Sequence, residues 1–159
     1  MIFFKTIRWK NLLSTGNSWT ELDFSKNKNT LIMGENGAGK STLLDALSYV
    51  LYGKAYRNIR KPQLINSVNQ KGLLVEIEFE TAGKEYLVRR GMKPNVFEIY
   101  QNENLIDQTA RLKDNQDYFE RDVLKMNHKS FSQIVILGSS TFIPFMQLTP
   151  AQRREVIED

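Results

Sequence analysis

The segment Thr30-Leu-Ile-Met-Gly-Glu-Asn-Gly-Ala-Gly-Lys-Ser-Thr-Leu-Leu-Asp-Ala-Leu-Ser-Tyr-Val-Leu51 sets a glycine-rich loop between a strand pattern and a helix pattern. Gly34, four residues, Gly39, Lys40 and Ser41 match G-x-x-x-x-G-K-[ST], and Thr42 follows. Each slot has a physical reason. Glycine admits positive φ and close approach of the backbone, so the N–H groups from Asn36 through Gly37, Ala38 and Gly39 to Thr42 can converge on anionic oxygens. A helix opening at this point adds the positive end of its dipole. Lys40 supplies a charge for β and γ phosphates, and the Ser41 hydroxyl a ligand for a magnesium ion bridging them. Leu31-Ile-Met33 is a short apolar run suited to a buried parallel strand, while Leu43, Leu47, Val50 and Leu51 recur at helical spacing.

Working outward, Ile2 to Trp9 reads as a strand, Asn11 to Asn17 as a break, and Trp19-Thr-Glu-Leu-Asp-Phe24 as a second, half-exposed strand. Beyond the helix, Gly53 ends the pattern. Lys54, Arg57, Arg60 and Lys61 then cluster beside Tyr52 and Tyr56, a composition suited to nucleic acid or equally to a solvated loop. Leu73 to Glu80 alternates strictly, Val75, Ile77 and Phe79 against Glu76, Glu78 and Glu80, which predicts an antiparallel strand with one wet face. Turns at Ala82-Gly83 and Gly91 to Asn95 continue it into a meander ending near Tyr100. Asp114 to Met126 has helical spacing. Ile134-Val-Ile-Leu137 suits a strand buried on both faces, and Thr149-Pro-Ala-Gln152 has the form of a helix start with a capping box. That helix has barely begun at Asp159, so the natural protein is expected to continue.

The 159 residues are 41% hydrophobic and 11% aromatic, enough for one globular domain. Lys plus Arg total 22 against 18 Asp plus Glu, a net charge of +4 that permits a polyanionic partner without requiring one. The lack of cysteine excludes disulfides, thiolate metal sites and cysteine nucleophiles. Apolar runs stop far short of the roughly 18 residues needed to cross a membrane, and a cytoplasmic protein is expected. For hydrolysis the inventory is incomplete. No buried strand ends in a carboxylate that could orient magnesium, although Glu76 is a weak candidate, and no Ser-Gly-Gly run is present. His128, the single histidine, reads as an ordinary surface residue.

A P-loop half without its acidic strand is the state of ATPase heads split by a coiled coil. The chain resembles the N-terminal head lobe of SbcC-type DNA-repair ATPases, relatives of the SMC proteins, and within them the large subunits of T-even phage recombination endonucleases. Besides Gly34 to Thr42, the resemblance rests on Trp9-Lys-Asn-Leu-Leu-Ser14, Leu44-Asp-Ala46, Leu51-Tyr-Gly53, Gln63-Leu-Ile-Asn-Ser67, Val88-Arg-Arg-Gly91-Met-Lys-Pro-Asn95, Phe131-Ser-Gln-Ile-Val-Ile-Leu-Gly138 and Pro144-Phe-Met146.

The resemblance implies an α/β P-loop NTPase of the ABC/SMC-head type. Residues 1–159 would form one N-terminal lobe, with a parallel core sheet, an antiparallel meander at about 73–100 and a helix from about 149 leading to a coiled coil. It implies ATP and Mg2+ as cofactors, held by Asn36, Gly37, Gly39, Lys40, Ser41 and Thr42, with Asn66 and Ser67 near the nucleotide. The implied partners are a C-terminal lobe of the same protein, a second head in an ATP-dependent homodimer, a nuclease subunit and double-stranded DNA ends, in a host cytoplasm if the gene is a phage's. The family's glutamine that contacts magnesium has Ser139 in its place, leaving Gln133 and Gln147 as alternatives. A P-loop kinase or other small-molecule phosphotransferase, and a nucleotide-binding module without turnover, are the competing readings.

Overall fold

The computed structural model describes residues 1–106, 112–136 and 147–158. The chain divides into two compact units, residues 1–110 and 111–159.

The first unit is built on a sheet of order β2-β1-β3-β4-β5-β6, comprising β1 (Ile2–Lys10), β2 (Thr20–Asp23), β3 (Leu73–Thr81), β4 (Lys84–Met92), β5 (Val96–Gln101) and β6 (Asn104–Leu105). Every pairing in it is antiparallel. The meander expected from the alternating residues is therefore present, and it recruits β1 and β2 as well. Ala82 and Gly83, both at positive φ (51° and 72°), form the two-residue turn that matches the twist of the flanking strands.

Register decides what each face carries. Ile7, Ile77, Val88 and Ile99 stand side by side across four strands and are at most 1% exposed. One residue along, Arg8, Glu76, Arg89 and Glu98 form a row of alternating charge on the opposite face. Glu76, only 5% exposed, accepts from Arg8 and, at 2.8 Å, from Arg89, which also reaches Glu98 at 2.9 Å. The hydrogen bond to Glu76 is the first cause that raises the Arg89 guanidinium above its ordinary pKa.

Against the apolar face, near β3 and β4, packs α1 (Thr42–Tyr52). Its Val50 and Leu51 are fully buried, each stabilising the fold by about 1.5–3 kcal/mol. Gly53 ends α1 in the left-handed region (φ 69°), its N–H bonding Tyr49 O at 2.8 Å.

The second unit is helical in its described residues. α2 (Leu112–Tyr118) runs into a π-helical stretch, Phe119–Leu124, whose Phe119 and Val123 are buried as their spacing predicts. Lys125 at φ 52° then stops it, one residue before Met126. α3 (His128–Ile134) begins at Asn127, whose side chain accepts from the N–H groups of Lys129 and Ser130 at 2.9 Å. α4 (Pro150–Glu158) opens with the expected capping box. Thr149 N donates to Gln152 Oε1 at 3.0 Å, and Gln152 N to Thr149 Oγ1 at 3.3 Å.

Two expected strands are absent. Leu31, Ile32 and Met33 belong to no strand and are 80%, 44% and 79% exposed, and every sheet pairing is antiparallel, so no parallel core sheet occurs among the described residues. An apolar run of this kind is buried only beside further strands, and none pairs with it among the described residues. Ile134 ends α3 and is 53% exposed, with Val135 41% exposed, so Ile134 to Ile136 is no strand; Leu137 lies outside the described residues. Here the Asn127 cap starts a helix through a run whose apolar continuity fits either structure.

A phosphate-binding loop and its cleft

The loop and the first turn of α1 occupy one wall of a cleft of about 380 Å³, lined on this side by Asn36, Gly37, Gly39, Lys40, Ser41 and Thr42. Gly37 and Gly39 take φ of 87° and 89°, a conformation that explains both glycines. Lys40 Nζ folds back onto the loop and donates to Gly34 O at 2.5 Å and Glu35 O at 2.7 Å. Gly34 thus contributes a carbonyl to holding Lys40. Ala38 closes the turn, its N–H bonding Glu35 O at 3.1 Å. Ser41 precedes α1 without spending its side chain on capping that helix, and it is exposed at the cleft. A hydroxyl left free at a helix N-terminus beside an ammonium suits a magnesium-bound phosphate chain.

The remaining lining is Leu13, Ser14, Arg57 and Ile59. Arg57 comes from the basic cluster and is exposed like Lys54, Arg60 and Lys61, but of the four it is the one that lines the cleft. Asp45, fully buried one turn into α1, accepts from Arg57 N at 3.1 Å, Nε at 2.8 Å and Nη2 at 2.5 Å. That pairing fixes the guanidinium of a cleft-lining residue and satisfies a carboxylate that burial alone would penalise heavily. Sequence reasoning missed Arg57, Leu13 and Ile59 as cleft residues. The signal lay in Leu44-Asp-Ala46, because an acid in a core helix needs a basic partner.

Asn66 and Ser67 do not line the cleft. Ser67 is exposed, and Asn66, 6% exposed, bonds the backbone around Leu13 instead. Glu76 belongs to the charge row described above, occupied by two arginines. Gln133 lies in α3 rather than a strand, its Oε1 buried without a hydrogen-bond partner among the described residues. Gln147 is exposed, and Ser139 lies outside the described residues. His128 opens α3. Among the described residues no group of acidic or histidine side chains could hold a metal ion by itself, and no helix is long and apolar enough to cross a membrane.

Solved structures share this architecture. The Smc head domain of Pyrococcus furiosus, solved with an extended coiled coil and bound to the C-terminal domain of ScpA, matches with a TM-score of 0.69 and 26% identity. The match covers 100% of this chain and 42% of that one. A chain from work on ATP-driven dimerization and DNA stimulated activation of SMC ATPases matches at 0.61 over 98% of both chains. Its identity is 21%, a likeness of fold alone. Fold and loop together define a P-loop NTPase of the SMC-head type.

The chain belongs to the AAA domain family, which matches residues 6–159. Among its relatives are exonuclease subunit 2 of Enterobacteria phage T4, 44% identical over 153 residues, and that of Escherichia phage RB69, 43% identical. A DNA double-strand break repair Rad50 ATPase of Methanococcus maripaludis is 30% identical over 158 residues. These matches cover 96% of this chain, which spans 27% of the length of the two phage relatives and 15% of the archaeal one.

Proposed function

We propose that the chain is the ATP-binding lobe of an ATPase head in a DNA recombination and repair nuclease complex, its two compact units forming one N-terminal lobe. The observation that carries this reading is the cleft in which Lys40, the exposed Ser41 hydroxyl and the N-terminus of α1 converge. Similarity to phage exonuclease subunit 2 and to Rad50 ATPases supports the wider setting. Asn36 to Thr42 bind the phosphates, with Lys40 exchanging its carbonyl partners for phosphate oxygens. Ser41 is the ligand this chain offers magnesium, and the ion, when bound, neutralises charge on the β and γ oxygens. Arg57, held by Asp45, adds a second cation at the cleft.

Hydrolysis needs a carboxylate to orient the metal and a group to position the attacking water, and the cleft lining among the described residues has no carboxylate. Glu76 is committed to Arg8 and Arg89. The missing groups come from a C-terminal lobe and then a second head, whose ATP-dependent pairing governs a nuclease subunit on double-stranded DNA ends. A small-molecule kinase fits less well, because such folds alternate strand and helix where this one places an antiparallel meander.

Calorimetric titration with Mg-ATP tests the binding step. Lys40→Ala should lose about 1.5–3 kcal/mol, the worth of a charge-assisted contact, and equal affinities would refute it. Phosphate release should be negligible from residues 1–159 and robust from the complete protein with its nuclease subunit and DNA. Turnover by residues 1–159 that Lys40→Ala abolishes would reveal an acidic partner within the chain.

A further inference from the structure

Leu13 and Ile59 are the aliphatic side chains lining the cleft, which residues of the polar loop Asn36 to Thr42 also line. A nucleoside triphosphate presents two chemistries, and this cleft separates them: the loop suits the phosphates, the aliphatic wall the base and ribose. The wall has an unusual foundation. Leu13 sits at φ 52°, a left-handed conformation that a leucine adopts only when its surroundings enforce it.

The enforcing groups are visible. Leu13 N donates to Leu64 O at 2.7 Å, and Asn66 N to Asn11 O at 2.9 Å. The Asn66 amide donates to Leu13 O at 2.9 Å and to Thr15 O at 3.1 Å, bracketing Ser14. Its Oδ1 accepts from Val68 N at 3.0 Å and Asn69 N at 2.9 Å. Both amide donors and the acceptor oxygen are thereby engaged by backbone, and nothing in the side chain is left over for a ligand. Neighbouring asparagines tighten the same joint: Asn69 Nδ2 donates to Asn11 Oδ1 at 2.8 Å, and Asn11 Nδ2 to Gly72 O at 3.0 Å.

We infer that Asn66 is a positioning residue for the nucleoside half of the ligand: without touching it, its amide holds the Leu13–Thr15 backbone so that Leu13 faces the base and ribose. The inference rests on the nucleotide-binding reading above. It assigns discrimination between a nucleotide and a bare phosphate chain to the wall, and phosphate affinity to the loop.

The test compares binding of Mg-ATP and Mg-tripolyphosphate to the complete protein by calorimetry. Wild type should bind both, and binding of neither would refute the nucleotide reading itself. Asn66→Ala should weaken ATP about tenfold while leaving tripolyphosphate within about twofold. Equal loss of both ligands, or loss of neither, overturns the inference and leaves the nucleotide reading intact. Should Asn66→Ala fail to fold, Leu13→Ala decides alone, with the same selective loss expected and unchanged ATP affinity contrary to the inference. If both fold, their combination should lose little more than the larger single change, since they act through one wall. Additive losses would overturn the shared route. Val88→Ala, a core truncation on β4, controls for destabilisation: a selective loss of ATP there too would show that the split is not specific to the wall.

Discussion

Tyr49 sits on α1 at 1% exposure, and burial pushes its hydroxyl up to about 12, against a smaller opposing effect of the Arg90 charge. The unfolded chain releases this proton near pH 10, the folded chain only near 12. Stability owed to the neutral hydroxyl is therefore complete below pH 10 and falls as pH rises toward 12. Unfolding midpoints measured across that range should decline more steeply in wild type than in Tyr49→Phe, and parallel declines would contradict the assignment. Residue by residue, the loop glycines and Lys40 were legible because each slot of the motif has a single physical reason. Arg57 was not, since neither its buried partner Asp45 nor the direction of its side chain follows from a run of cations.

At the scale of elements, the sheet is fixed by two adjacent rows, Ile7-Ile77-Val88-Ile99 and Arg8-Glu76-Arg89-Glu98. A slip of one residue would carry a carboxylate into the core, so the register is strongly specified. Glu76 is the pivot of the charged row, and removing it leaves two arginines without their shared acceptor. Glu76→Ala should cost about 1–3 kcal/mol in denaturant unfolding. Glu98→Ala, at a more exposed carboxylate with one arginine, should cost less, and the reverse order would show that the row does not act through Glu76. Strict alternation made β3 legible, and turn residues did the same for the β3–β4 hairpin. The uninterrupted runs Leu31 to Met33 and Ile134 to Leu137 were ambiguous, because continuity without alternation fits a buried strand, a helix or a segment awaiting partners.

On the whole molecule, the exposed cations Lys54, Arg60 and Lys61 remain as an electrostatic footprint once Arg57 is assigned to the cleft. If double-stranded DNA reaches this face, replacing the three by Ser in the complete complex should make the slope of log affinity against log salt shallower by about 2 to 3. An unchanged slope would place the DNA elsewhere. The exposed Leu31-Ile-Met33 segment belongs to this scale too. Its apolar pattern lies just before the loop, is largely exposed and pairs with no strand among the described residues.

The sequence alone determined the phosphate loop, the helix behind it, the meander and the cap of α4, because motif chemistry, period-two alternation and capping are local properties of a chain. The architecture of the sheet was decided by tertiary structure, which paired β1 with β3 across more than sixty intervening residues. So was the cleft. Leu13, Arg57, Ile59 and the bracing amide of Asn66 come from separate segments, and contacts between such segments leave no periodic trace in the sequence of either.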